Sequence, residues 1–169
     1  MTGHLADFNR GSELPLYVVT AQHESDRAGC VVGFVTQCSI YPERLVACLS
    51  IVNHTFEIAS QSGALCVHLL SATDVELAHR FGERTGDVVD KFDGLEVKRT
   101  RHGAPLLPGD HHWVAGPICD VHSFGDHVGF VIEPDESGGR LVDEPLTTGS
   151  IHLDAAHPPE QAHTGVEGT

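Results

Sequence analysis

Short apolar runs divided by polar and turn-forming residues make up the first half of the chain. The runs over 14–21 and 30–37 are rich in β-branched and aromatic residues, which predicts two strands, and the polar stretch 23–29 predicts the turn between them. The run over 44–52 is continuously apolar, a pattern typical of a strand buried on both faces. A further strand is predicted over 64–71. This half of the chain is therefore predicted to be mainly strand.

Two short helices interrupt this series of strands. The segment 53–63 has the length of a short helix, with Asn53 or Thr55 as its N-cap. The Thr-x-x-Glu spacing at 73–76 is that of a capping box and predicts a helix that ends at Gly82. The apolar residues that share one face of this second helix are Val75, Ala78 and Phe81. Both helices are predicted to be peripheral elements.

The second half of the chain continues mainly as strands. Segments 113–124 and 127–134 predict two strands, and 136–140 predicts a hairpin-like turn. A last edge strand is predicted over 141–153, where Pro145 would be kept off any central position of the sheet. Because strands dominate and are joined mostly by turns, the pattern favours a mainly β fold. We expect an antiparallel, closed or nearly closed β-barrel with short peripheral helices, and not alternating βαβ units.

The length of 169 residues suits a single domain of ordinary size. Residues 1–12 are expected to form a flexible N-terminal segment, and residues 13–154 to form the domain. The Pro-, Gly- and His-rich segment 155–169 has no apolar period. It is predicted to be an extended tail that could reach a partner subunit.

The charge balance argues against several classes of partner. Lys and Arg total 10 against 24 Asp and Glu, a formal net charge of −14, so a basic face for nucleic-acid phosphates or acidic membranes is not expected. No apolar run reaches about 18 residues. The N-terminus also lacks a basic start followed by an apolar block. We therefore expect a cytoplasmic protein that binds no nucleic acid and no membrane.

Two groups of polar side chains flank the apolar run 44–52. Residues 36–39 precede this run, and residues 53–55 follow it at the start of the first predicted helix. If the strands are neighbours, the two groups could meet near one end of the sheet. Hydroxyl groups beside the N–H groups of a helix N-terminus form a natural phosphate site. An Asx or Ser/Thr turn followed by an ordinary helix cap would produce the same pattern, so both interpretations stay open here.

Histidine-containing segments provide two further candidates. The segment 124–130 is interpreted either as a hairpin turn or as a loop that presents His127 beside a cofactor. The segments 109–113 and 119–127 contain residue types that bind zinc and other transition metals. No pair of residues there has a recognised ligand spacing, and neighbouring histidines on a strand point to opposite faces. No metal site is therefore expected.

The remaining reactive groups form no recognised motif. The five cysteines contain no CxxC pair, and four of them lie in apolar segments, which is typical of buried, reduced thiols. The nucleophile elbow, the P-loop and the G-x-G-x-x-G fingerprint are absent from the sequence. A disulfide framework and a classical dinucleotide-binding fold are therefore not indicated.

A series of short segments, taken in order, matches the pattern of one known family. The segments are 33–39 followed by Pro42, Thr55 after the third strand, 61–63 with 67–69, 90–94, 103–106 and 125–127. Together they resemble the flavin reductase-like family, whose members have an FMN-binding split barrel. The resemblance covers about Leu14 to Leu153. The chain departs from the family pattern at Glu43, where a proline is usual, and at His68, where asparagine is common.

The resemblance implies the residues of a cofactor site. Those that would lie along the flavin are Val35, Thr36, Gln37, Cys38 and Ser39, and those near its phosphate are Ser50, Asn53, His54 and Thr55. Lys91 and Phe92 would approach the flavin or a dimer interface. His127 would stand near the nicotinamide or substrate face and is the one catalytic candidate.

The resemblance also implies a function. We expect an FMN-binding NAD(P)H:flavin oxidoreductase that accepts NADH or NADPH, with FAD as the alternative flavin. We expect it to be a homodimer that supplies reduced flavin to a partner flavin-dependent monooxygenase. Two alternatives stay open. One is a split-barrel protein that binds flavin or haem without turnover, and the other is a flavoenzyme that acts on its own small substrate.

Overall fold

The computed structural model describes residues 4–83 and 89–154, which contain ten strands and three helices. The strands are β1 (Tyr17–His23), β2 (Asp26–Val32), β3 (Val35–Ser39), β4 (Arg44–Ser50), β5 (Ala64–Leu69), β6 (Lys98–Arg99), β7 (Pro105–Leu106), β8 (His112–Ser123), β9 (His127–Ile132) and β10 (Glu136–Gly139). The helices are α1 (His4–Phe8), α2 (His54–Gln61) and α3 (Val75–Gly82). The predicted tail 155–169 lies outside the described residues.

One antiparallel sheet carries the fold, in the order β2-β1-β5-β8-β9-β4-β3, with β10 also paired to β8. The long strand β8 belongs to both halves of this sheet. Its first part pairs with β5 up to Pro117, and its second part pairs with β9 from Ile118 onward. The register shifts between Ile118 and Asp120. Because such a bulge bends a strand and increases its twist, β8 can carry the sheet from one half into the other.

The two halves of the sheet face each other across a shared apolar core. Side chains from β1, β2 and β5 on one half meet side chains from β4 and β9 on the other, together with two residues of α2: Val19, Cys30, Leu65, Ala47, Leu49, Phe130, Ile132, Ile58 and Ala59. A second cluster packs α3 against the outer side of β1. The prediction of a mainly β, antiparallel fold with short peripheral helices is confirmed.

β2 and β3 are separate strands with a corner at residues 33–34, so the prediction of one strand over 30–37 is wrong. β2 pairs with β1, whereas β3 pairs with β4 in the other half of the sheet. The chain changes halves at this corner, where the carbonyl of Phe34 accepts a hydrogen bond from Cys48 N at 2.9 Å. Glycine at position 33 suits such a break because it carries no side chain to pack.

The predicted turn over 23–29 is also shorter than expected. Pairing of β1 with β2 continues to His23 and Asp26, which leaves only Glu24 and Ser25 in the turn. Glu24 has a φ of 50°, the left-handed conformation that two-residue hairpin turns use. Main-chain pairing therefore extends through a polar stretch that side-chain pattern alone assigns to a loop.

Helix α3 begins without the predicted capping box. Its N-cap residue is Asp74, and the carboxylate of Asp74 accepts hydrogen bonds from the N–H and the hydroxyl of Ser71, at 2.9 and 2.8 Å, instead of capping the helix. The Thr73 hydroxyl contacts the Ser71 hydroxyl. Val75 is exposed, and the residues that the helix buries are Leu77, Ala78 and Phe81.

Near the C-terminus, a strand forms where a turn was predicted, and the segment predicted as a strand forms none. The segment predicted as a hairpin-like turn, 136–140, contains β10, which pairs with β8. The predicted edge strand over 141–153 makes only isolated bridges, between Pro15 and Thr147 and between Ser71 and Pro145. A glycine-rich edge strand has no apolar alternation, and its main-chain pairing with β8 therefore leaves no sign in the sequence. At the other end of the chain, α1 forms within the segment predicted to be flexible and buries no residue.

Candidate functional site

A cleft of about 280 Å³ opens where the 33–34 corner, the end of β4 and the start of β9 meet. Its walls are mainly apolar, and four polar side chains lie among them, those of Ser50, Asn53, His127 and Thr148. We call it the His127 cleft, and the residues that define it here are Leu14, Leu16, Val32, Phe34, Ser50, Asn53 and His127. Ser50, Asn53 and His127 are predicted site residues, whereas the resemblance did not single out the apolar wall residues.

Strand pairing brings Ser50 and His127 together although they are far apart in sequence. The two residues are register partners at the end of the β4–β9 ladder. Just beyond this pair, Ile51 N donates to the Asp126 carbonyl at 3.0 Å. Asn53 N then donates to the Ser50 carbonyl at 3.0 Å, which turns the chain into α2. Main-chain hydrogen bonds therefore fix the positions of Ser50, Asn53 and His127 in the cleft.

The His127 ring is held by contacts on two sides. Its Nδ1 lies 2.9 Å from Asp126 Oδ1. Its ring makes an edge contact with Phe34, with centroids 5.5 Å apart and an interplanar angle of 63°. The side chain is 31% exposed, so a bound ligand can reach it. The ring is thus oriented before any ligand arrives.

The N-terminus of α2 divides the predicted phosphate residues between two clefts. Asn53 caps the helix by accepting a hydrogen bond from Thr55 N at 3.0 Å and lines the His127 cleft. His54 and Thr55 instead line a second cleft of about 550 Å³. His54 lies 3.2 Å from Glu57, and the Thr55 side chain is buried. We call this second space the Arg27 cleft, and it is also lined by Arg27, Asp90, Lys91 and Phe92.

Within the Arg27 cleft, Lys91 and Phe92 hold the segment that follows α3. Lys91 is 5% exposed, and its ammonium donates to the carbonyls of Gly29 and Phe81, each at 3.0 Å. The Phe92 ring is buried and makes an edge contact with Phe81 at 5.2 Å, while the Arg27 guanidinium lies 4.8 Å from its centroid. These contacts fasten the segment to β2 and to the end of α3. A role in flavin binding or in a dimer interface stays a prediction for both residues.

The predicted flavin loop, Val35–Ser39, lies along the edge of the sheet. Thr36, Gln37 and Cys38 are exposed, and the Gln37 side chain donates to the Ser39 carbonyl at 3.1 Å. Val35 and Ser39 are partly buried. None of the five residues lines either cleft, although the adjoining residue Phe34 lines the His127 cleft. Their contact with a flavin therefore stays a prediction.

The expectation that residues 36–39 and 53–55 meet near one end of the sheet is wrong. β3 and β4 are neighbours, but they run antiparallel, with Val35 opposite Ala47 and Ser39 opposite Arg44. The end of β3 therefore lies beside the start of β4, whereas residues 53–55 follow the end of β4. The two polar groups lie at opposite ends of a seven-residue strand.

The histidine-rich segments are separated in the fold. His122 Nε2 pairs with Asp120 at 3.0 Å, and His111 is buried beside Asp74. Across residues 4–83 and 89–154, no group of three or more His, Cys, Asp or Glu side chains could hold a metal ion. The prediction that four cysteines are buried is wrong, because Cys30 and Cys66 are buried, Cys48 is partly buried, and Cys38 and Cys119 are exposed. Burial raises the pKa of the Cys30 thiol, against the opposing effects of the Thr55 hydroxyl and the Lys91 charge.

A family model described as "Flavin reductase like domain" matches residues 10–147, and the chain belongs to this family. It is similar to a ferric-chelate reductase (NAD(P)H) of Archaeoglobus fulgidus, with 33% identity over 145 residues that span 82% of this chain and 83% of the relative. It is also similar to HsaB, the reductase subunit of a flavin-dependent monooxygenase of Mycobacterium tuberculosis, with 26% identity over 65% of this chain and 57% of that protein.

The fold agrees with this assignment. The crystal structure of a flavin reductase domain protein from Arthrobacter sp. FB24 superimposes with a TM-score of 0.78 and 21% identity, covering 94% of this chain and 97% of that one. The predicted family, its split-barrel fold class and its oxidoreductase class are therefore confirmed. Among the described helices, none combines the length and apolar character needed to cross a membrane.

Proposed function

We propose that this protein is an NAD(P)H:flavin oxidoreductase that binds FMN and supplies reduced flavin to a partner monooxygenase, as a cytoplasmic homodimer. The observation that carries the proposal is the His127 cleft. Ser50 and Asn53 from the β4–α2 connection and His127 from the start of β9 converge on a space with mainly apolar walls. Cofactor pockets have this character, because apolar walls bury the ligand and a few placed polar groups orient it.

The residues of the His127 cleft fit a flavin. Leu14, Leu16 and Val32 provide the apolar surface that a flat isoalloxazine ring needs. The α2 N-terminus lies at the same cleft through Asn53, and the partial positive charge of a helix N-terminus favours a phosphate. Ser50 adds a hydroxyl that can donate or accept a hydrogen bond. A flavin bound there would supply the redox chemistry, in which its N5 accepts a hydride from the nicotinamide.

The protein contributes orientation. His127 is held between Asp126 and Phe34, so it would present a fixed ring edge to a bound nicotinamide. The apolar walls of the cleft would limit the access of water to a bound ligand. Positioning of this kind would account for much of the rate. Proton transfer is not required of any side chain in this scheme.

The relatives support the finer parts of the proposal. The Archaeoglobus relative is named as a reductase that uses NAD(P)H. HsaB is named as the reductase subunit of a monooxygenase, which supports delivery of reduced flavin to a separate oxygenase. The alignment covers 57% of HsaB. Delivery of reduced flavin to a partner is therefore proposed for this chain from its similarity to part of that protein.

The first experiment is a visible spectrum of the purified protein with FMN or FAD, followed by anaerobic addition of NADH or NADPH. We expect the flavin absorption band at about 450 nm to shift when the flavin binds and to bleach when one of the two nucleotides is added. A bound flavin that neither nucleotide bleaches would contradict the reductase. It would favour either a protein that binds flavin without turnover or a flavoenzyme with its own small substrate.

A pair of variants tests the role of His127. We expect His127→Ala to lower the rate of NAD(P)H oxidation roughly 10- to 100-fold, because the nicotinamide loses its fixed contact. Flavin affinity, measured by titration, should change little. The control is His122→Ala, since His122 lies on the neighbouring strand, pairs with Asp120 and lines neither cleft. Equal rates in both variants would remove His127 from the site.

A further inference from the structure

The hydrogen bond between His127 and Asp126 determines where the protons of the imidazole lie. An ionised carboxylate can only accept a hydrogen bond, so the Nδ1 atom that lies 2.9 Å from Asp126 Oδ1 must carry a hydrogen. In the neutral ring this leaves Nε2 with its lone pair, as an acceptor. The carboxylate therefore selects one of the two neutral tautomers of His127.

The same contact leaves one ring nitrogen for a ligand. His127 lines the His127 cleft and its side chain is 31% exposed, whereas Asp126 does not line the cleft. Because Nδ1 is engaged with Asp126, the ring nitrogen that a ligand in the cleft can meet is Nε2.

Main-chain bonds hold the carboxylate in position. The carbonyl of Asp126 accepts a hydrogen bond from Ile51 N at 3.0 Å, and Phe124 N donates to the His127 carbonyl at 2.9 Å. Gly125, between them, has a φ of 123°, which favours glycine at this point of the turn. The loop before β9 is thus fastened to the end of β4, and the Asp126 side chain starts from a fixed point.

We propose that Asp126 is a positioning residue that keeps His127 in the Nδ1–H tautomer, so that Nε2 accepts a hydrogen bond from the carboxamide NH₂ of the nicotinamide. The inference rests on the proposed function and specifies how the cleft recognises its nucleotide. The carboxamide is the polar group of the nicotinamide ring, and its NH₂ is a donor that matches a lone pair on Nε2. Recognition of this kind orients the ring as well as binding it.

Asp126→Ala is the test variant, and Asp120→Ala is its matched control. Without the carboxylate, nothing at position 126 favours the Nδ1–H form, and Nε2 can carry the hydrogen and become a donor. Asp120 forms a comparable pair with His122, at 3.0 Å from Nε2, but that pair lies outside both clefts. The control therefore removes one surface carboxylate from a His–Asp pair without touching the site.

The first measurement compares two substrates in steady-state kinetics. One is the reduced nucleotide that the wild type oxidises, and the other is its 3-acetylpyridine analogue, which keeps the carbonyl but has a methyl group in place of NH₂. We expect the ratio of kcat/KM values, natural nucleotide over analogue, to fall roughly fivefold in Asp126→Ala, as for the loss of one hydrogen bond. It should stay unchanged in Asp120→Ala. An unchanged ratio in Asp126→Ala would overturn the contact with the carboxamide.

The second measurement reads the tautomer directly by nitrogen NMR of ¹⁵N-histidine-labelled protein at a pH where the ring is neutral. We expect the hydrogen of His127 on Nδ1 in the wild type and in Asp120→Ala, and a shift toward Nε2 in Asp126→Ala. A wild-type ring with its hydrogen on Nε2 would overturn the inference whatever the kinetics show.

The two measurements also separate this inference from the proposed function. A wild type that oxidises neither nucleotide would refute the function and the carboxamide contact together, while the NMR spectrum would still decide whether Asp126 holds the ring. An active wild type with the same substrate ratio as Asp126→Ala would refute the inference alone.

Discussion

Two histidine–aspartate pairs in this protein occupy opposite settings. His127 lines a cleft and contacts Asp126 at 2.9 Å, and the two side chains are 31% and 48% exposed. His111 and Asp74 are 1% and 6% exposed and lie 3.6 Å apart, beyond hydrogen-bond range. The same residue types therefore serve different purposes. The open pair can meet a ligand, whereas the enclosed pair can only act on the protein itself.

The surroundings of the enclosed pair support this distinction. His111 makes an edge contact with His68, with ring centroids 5.1 Å apart. His68 Nδ1 lies 3.0 Å from the Val18 carbonyl, and its Nε2 accepts from Leu107 N at 3.1 Å. Burial, helped by the neighbouring His111, lowers the pKa of His68 to about 3. His68 is therefore an uncharged bridge between β1 and the loop that precedes β8.

The largest expected effect separates the two histidines by stability. We expect His111→Leu to lower the free energy of unfolding by about 2–3 kcal/mol, because a buried carboxylate at Asp74 loses its nearest ring partner. His127→Leu, at a half-exposed position, should change it by less than about 0.5 kcal/mol. Urea unfolding of both variants gives the comparison. Equal losses of unfolding free energy in the two variants would contradict the inference that only the enclosed pair stabilises the fold.

The second largest expected effect is on flavin affinity and concerns the edge strand β3. We expect Thr36→Val combined with Ser39→Ala to weaken FMN binding by about 1–3 kcal/mol, through hydrogen bonds to the flavin that are lost. Stability should be nearly unchanged because Thr36 is exposed and Ser39 is partly so. Flavin titration measures the affinity, with Ser137→Ala on the exposed strand β10 as control. An unaltered affinity would remove the loop from the flavin site.

The smallest effect concerns the pH dependence of the enclosed pair. Burial opposes the charged form of Asp74, but the His111 ring and the hydrogen bonds from Ser71 outweigh it and lower the pKa of the Asp74 carboxyl. A lowered pKa in the folded state stabilises the fold above the unfolded-state value of about 3.9, and this contribution is lost as the pH falls through the folded pKa.

We therefore expect the stability advantage of the wild type over Asp74→Asn to be constant near neutral pH and to shrink below about pH 4. Urea unfolding at a series of pH values measures it. Asp110→Asn, at an exposed position just before His111, is the control and should give no such trend. If the stability advantage of the wild type over Asp74→Asn grew as the pH fell, the Asp74 pKa would be raised in the folded state and not lowered.

The parts of the fold that the sequence predicted correctly are those with a strong apolar pattern. β4 and β5 were predicted because each lies in a long apolar run that is typical of a buried strand. α2 was predicted because a polar N-cap residue precedes it. β10 and the start of β2 were missed because their residues are polar or glycine. Such strands are held by main-chain pairing, which leaves no mark on side-chain pattern.

The candidate site divides in the same way. Asp126 and His127 are neighbours in sequence, so their contact is a local matter that the Gly-Asp-His segment already contains. The resemblance to the family pointed to Ser50 and Asn53 as well. It did not reveal that Phe34 would touch His127 or that Leu14 would wall the cleft, because both depend on the 33–34 corner and on the return of the chain to β9.

The sequence by itself determined the strand-rich class of the fold, its short helices, its acidic surface charge and the family to which the chain belongs. The fold class, the helices and the charge follow from residue composition and from periodicities that act over a few residues, whereas the family was indicated by the resemblance of short ordered segments. Only the tertiary structure decided which histidine is enclosed and which is open. It also decided that the predicted flavin loop lies beside the start of β4, whereas the helix cap follows the end of β4. Long-range strand pairing controls both outcomes, since an antiparallel register places residues by their partners and not by their distance along the chain.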